Sequence, residues 1–181
     1  MKFSRLFATV SALALVTAAG VTAAGLRQGP VEPDRMHTWL QSHVGNWDAK
    51  IDGMMADSVG TWVVKEGPGG LWLVSEFKTD DMMGGPFHGM EFFGYDADSK
   101  TFTSYWIDSS STRCSKLEGT YDAATKTMTL HGKVPGPTGE MVDVTHVTSY
   151  PDADHMKFEM KGAGPDGSEM TFMTIEYTRR K

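Results

Sequence analysis

The sequence has almost no cysteine. Cys114 is the only one in 181 residues, so no disulfide can close within one chain and the fold must rest on its core. Free cysteine is among the most buried residue types, and burial is the expectation for Cys114. Basic charge is scarce too, with 17 Lys plus Arg against 23 Asp plus Glu. No basic stripe is interleaved with aromatics, which argues against nucleic acid as a partner. After the first 24 residues no apolar run approaches the ~20 residues of a membrane-spanning helix. The six histidines form no H-x-H or H-E-x-x-H, so no metal site is predicted. There is no G-x-S-x-G nucleophile turn. "DADSK" at 96–100 and "PDAD" at 151–154 carry calcium-like oxygens. They lack the glycine and distal glutamate of a calcium loop and read as hairpin turns.

What is present begins with an address. Lys2 and Arg5 precede "LFATVSALALVTAAG", giving the charged, apolar, small-residue order of a secretory signal. Residues 1–24 are read as that signal, with cleavage after Ala19, Ala23 or Ala24. Residues 25–33, "GLRQGPVEP", are a flexible lead, and 34–181 form one domain of ordinary size. The expected location is the periplasm or the exterior, with no membrane span after cleavage.

Asp34 suits a helix N-cap. Met36, Trp39, Leu40 and Val44 recur at helical spacing, and Gly45 is placed at the helix end. From Trp47 onward the period becomes two. Clusters of Gly, Pro, Asp and Ser punctuate about ten strand-length runs rich in Val, Thr and aromatics. Short connections between so many strands predict an all-β, up-and-down antiparallel barrel of eight to ten strands with a short N-terminal helix. Closure removes exposed strand edges. In "HMKFEMK", Met156, Phe158 and Met160 form the inner row. In "KTMTLHGKV" the inner row is Met128, Leu130 and Val134, with His131 outside. "FHGMEFFGYD" is ambiguous, because both of its rows carry aromatics. "EMTFMTIEY" is apolar on both rows, so that strand is expected to be covered on both faces; the N-terminal helix either supplies the cover or plugs one mouth of the barrel.

Such a barrel has two open ends. In "GNW", Gly45 permits a sharp entry into the first strand, and Trp47 can lie across the bottom with its N–H on a carbonyl. A terminal guanidinium, Arg179 or Arg180, can stack on the ring. Helix, G-x-W, barrel and closing arginine together resemble the calycin group. "FFGYDADSKTFTSYWIDSSST" and "FMTIEYTRR" further resemble the bacterial family called domain of unknown function 1579. That resemblance implies a lipocalin-like barrel with room for a ligand, and no settled activity.

The leading expectation is a small, mainly apolar guest inside the barrel, lined by Phe93, Trp106 and Met160, with Glu91, Asp108 and Arg113 as polar contacts and His146 as a further candidate. Turn chemistry explains every residue from Asp108 to Arg113 without a ligand, with Asp108 capping backbone amides and Arg113 pairing with it. Glu91 or Asp108 with His88 or His146 could instead make an acid–base site at the mouth. His146 or His88 could bind haem in the manner of nitrobindin-like relatives. A filled barrel acting by surface contact is the remaining alternative. The residues alone name neither a cofactor nor a reaction.

Overall fold

A computed structural model describes residues 30–53, 57–82 and 84–181. The predicted signal, 1–24, lies outside them. Helix α1, Arg35–Gln41, is capped by Asp34, whose carboxylate accepts from the backbone N–H of Met36 and His37. Ser42, not Gly45, closes it. Among the described residues no helix is long and apolar enough to cross a membrane.

Ten strands follow. They are β1 (Gly45–Gly53), β2 (Ser58–Glu66), β3 (Trp72–Met82), β4 (Gly85–Asp96) and β5 (Thr101–Asp108), then β6 (Ser115–Asp122), β7 (Thr127–Pro135), β8 (Met141–Ser149), β9 (His155–Ala163) and β10 (Glu169–Arg179). Each pairs antiparallel with its neighbours in sequence, and β1 also pairs with β10, so the sheet closes into a barrel. Alternation decides what points inward. β1 buries Trp47, Ala49 and Ile51 between exposed residues, and the β7 and β9 rows face as their sequences predict.

The barrel is sealed at the end where β1 begins. Trp47 is 1% exposed, its indole N–H donates to the His43 carbonyl at 3.1 Å, and the Arg179 guanidinium sits 4.1 Å from the ring centre. Arg179 also donates to the carbonyls of Ser42 and Val44. Gly45 is required here for two reasons. Its φ is 151°, and a Cβ would lie 2.7 Å from the Arg179 guanidinium. The helix packs against the same end: Gln41 donates to the carbonyls of Gly70 and Trp72, and the His37 ring bonds the Tyr95 carbonyl.

Of its two expected places the helix takes the mouth of the barrel and does not cover β10. Other expectations change. The two apolar rows of β10 arise from a bulge between Thr171 and Met173, which shifts the phase of the strand. Cys114 is exposed. It precedes β6, where Ser115 takes the buried inward position, so alternation turns the thiol out. Val44 lies beyond the helix and is 37% exposed.

Candidate functional site

The ambiguity of β4 is resolved by its register. Ser75 pairs with Glu91 and Leu73 with Phe93 across β3 and β4, and Glu91 pairs with Trp106 on β5. Because Leu73, Ser75 and Phe77 are buried in alternation with more exposed neighbours, Phe87, Gly89, Glu91, Phe93 and Tyr95 face the interior. His88, Met90 and Phe92 face out, and Phe92 is 45% exposed.

Glu91 therefore places a carboxyl inside an apolar cylinder. Ser104 donates to one oxygen at 2.6 Å and Ser75 to the other at 3.4 Å. Burial holds the carboxyl above its ordinary range, and the two serine hydroxyls only partly offset this. Two phenols share the space. Tyr150 and Tyr177 are held well above the usual tyrosine range, first by burial and then by the charge on Glu91. Ser75, Ser104, Tyr150 and Tyr177 were not anticipated from the sequence. Their roles depend on cross-strand register, which no single strand reveals.

His146 faces inward from β8, opposite Leu130 and Met160. Its ring meets Phe158 edge-on at 4.9 Å. Its Nε2 is buried without a partner among the described residues, and burial pushes the imidazole down to about 4. Glu91 and His146 thus share the interior, but no hydrogen bond joins them. His88 does bond a carboxylate, Glu76, at 2.8 Å, but that pair stands on the outer face beside Lys78.

The remaining candidates divide. Phe93 stacks on Phe102 at 5.8 Å, and Phe93 and Met160 both pack against the buried cluster of the sealed end. Trp106 sits toward the other end, stacked on Phe87 at 6.3 Å. Its ring lies across Gly89, where a Cβ would come within 2.1 Å of it. Its indole N–H donates to Asp108 at 2.8 Å. The other Asp108 oxygen caps the turn, accepting from the Ser110 N–H and hydroxyl. Arg113 does not pair with Asp108. It is exposed and donates to the Gly139 carbonyl at 2.6 Å, tying the β5–β6 loop to the β7–β8 loop. Among the described residues no three His, Cys, Asp or Glu side chains gather as a metal site would require.

Replacing Glu91 by Gln keeps an acceptor for Ser104 and removes the ionisation. A carboxyl held high in the fold contributes stability fully below its ordinary value of 4.5, and loses it as pH rises through the folded value. Glu91→Gln is therefore expected to gain about 1–2 kcal/mol over the parent at pH 7.5, the cost of a buried charge, and to gain nothing at pH 4. Urea unfolding at the two pH values measures this.

The sequence profile described as "Protein of unknown function (DUF1579)" matches residues 32–179. No curated protein matches in sequence. Among solved structures, Rv2717c from M. tuberculosis aligns with a TM-score of 0.60 at 12% identity, over 83% of this chain and 100% of that one. At that identity it shows a shared barrel fold. A redesigned β-barrel aligns at a TM-score of 0.43 and 13% identity over the same shares, and adds nothing to the assignment.

Proposed function

The chain belongs to the family of unknown function 1579, and from that premise we propose that it holds a small, mainly apolar molecule inside its barrel after export from the cytoplasm. The observation that carries this reading is that His146 Nε2 is buried without a partner among the described residues. A buried polar atom without a hydrogen bond costs about 1–3 kcal/mol, and a guest bearing one polar group would satisfy it. The surroundings suit such a guest. At the sealed end Leu40, Trp47, Val64, Phe102 and Leu117 are fully buried. Toward the other end, Phe87, Trp106, Phe158 and Met173 are only partly buried around Ala49, Ile51, Phe77 and Ile175. Those aromatic surfaces would lose water on binding, while Glu91 and His146 would orient the guest. Export rests on the order of charged, apolar and small residues in 1–24.

Native mass spectrometry and lipid extraction of protein purified from its own compartment test this. A co-purifying apolar species that is lost in His146→Leu is expected. Empty protein that stays empty after incubation with lipid extract favours a filled barrel and ends the proposal. His146 also supports a second reading, haem ligation, because its neutral imidazole has no partner at Nε2 among the described residues. Haemin titration would then give a Soret band that disappears in His146→Ala.

A further inference from the structure

A concavity opens at the sealed end, between the end of α1, the β6–β7 turn and the β8–β9 turn, with a volume of about 280 Å³. Its wall is aromatic. Trp39 lies 4.3 Å from Tyr121 and 5.1 Å from Tyr150 between ring centres, and His43 lies 4.6 Å from Trp39 and 5.0 Å from Tyr150. His43 is only 9% exposed. Its Nδ1 sits 3.1 Å from the Leu40 carbonyl, an acceptor, so Nδ1 carries the proton and Nε2 is left with a lone pair. Among the described residues nothing donates to that Nε2. Burial holds the imidazole below its ordinary range, which keeps the lone pair available.

The cations at the rim are already committed. Arg179 donates to the carbonyls of Ser42, Val44 and Ala153, and Lys126 donates to the Pro151 carbonyl. An anion would have to break those bonds, whereas a neutral ring would not. The volume is below that of sites for drug-sized ligands, which begin near ~300 Å³, so the guest has one or two rings.

We propose that this cleft binds a small planar aromatic molecule of the phenol or indole class, its ring against Trp39, Tyr121 and Tyr150 and its O–H or N–H donated to His43 Nε2. This cleft shares Tyr150 with the barrel interior but neither Glu91 nor His146, and the proposal stands whether or not the interior holds a guest.

Phenol, indole and toluene titrated into the whole protein, followed by NMR, test it. Saturable shifts are expected at the Trp39 indole and at His43, with toluene binding about tenfold more weakly than phenol for want of the hydrogen bond. His43→Phe keeps a ring and removes Nε2, so phenol affinity should fall to that of toluene. Ala153 lines the cleft from the exposed turn. Ala153→Trp should abolish phenol and indole binding with unchanged thermal melting, and it decides the matter if His43→Phe fails to fold. Absence of saturable shifts, shifts confined to the interior indoles of Trp62 and Trp106, or binding indifferent to Ala153→Trp would each overturn the proposal.

Discussion

Trp47→Ala is expected to destabilise the barrel by about 3–5 kcal/mol, the cost of truncating a fully buried tryptophan, and to lower the midpoint of thermal unfolding by on the order of 10 °C. Three losses combine at this position. The ring is 1% exposed and belongs to the cluster with Leu40, Val64 and Met156, so its removal leaves a cavity at the sealed end. Its N–H no longer reaches the His43 carbonyl. The Arg179 guanidinium loses the surface on which it stacks, though it keeps the carbonyls of Ser42 and Val44. Trp47→Phe separates these effects. It retains most of the apolar ring and a face for Arg179 while deleting the hydrogen bond, so it should cost about 1–2 kcal/mol. Calorimetry of both variants makes the comparison. Equal losses for Phe and Ala would mean that the hydrogen bond, not the packing, closes the barrel.

The same residues show what a sequence read alone can reach. G-x-W followed at distance by a terminal arginine is a local pattern with a mechanical purpose, and the structure joins its parts as that purpose requires. Strict alternation made the inner rows of β7 and β9 readable. β4 was not readable, because Met90 and Phe92 leave apolar side chains on the outer face while Phe87 and Phe93 occupy the inner one. Its orientation follows from pairing with β3, and pairing is a property of two strands. Glu91 therefore acquires Ser75 and Ser104 only once register is known. The bulge in β10 misled for the opposite reason: a phase shift at Thr171/Met173 makes a one-sided strand look apolar on both sides. The bond from Arg113 to Gly139 joins loops two connections apart, and loop-to-loop contacts leave no periodic trace.

Acid should weaken this protein through His146, and His146→Leu should relieve that weakness. The imidazole is held at about 4 against an ordinary 6.5. A histidine whose folded value is depressed contributes stability that is present above 6.5 and is lost as pH falls through the folded value. Between pH 6.5 and 4 the unfolded chain takes up a proton that the folded chain refuses, and the integrated loss is about 3 kcal/mol. His43, also held down by burial, adds to the same limb and is untouched by the substitution. Surface carboxylates such as Glu76 and Asp152 are held low by their partners and weaken the fold at still lower pH in parent and variant alike, so the difference between the two isolates His146. A leucine side chain has no proton to refuse. The gap in unfolding free energy between variant and parent should therefore move in the variant's favour by about 3 kcal/mol from pH 7.5 to pH 4. Glu91 opposes this within the same interior, since its neutral form is the one the fold prefers. Combining His146→Leu with Glu91→Gln should remove both interior contributions and leave a flatter dependence on pH than the parent shows. Urea titrations at half-unit steps from pH 4 to 8 would reveal this, and a gap that stays constant across that range would mean that the His146 ring takes up its proton as readily in the fold as in the unfolded chain.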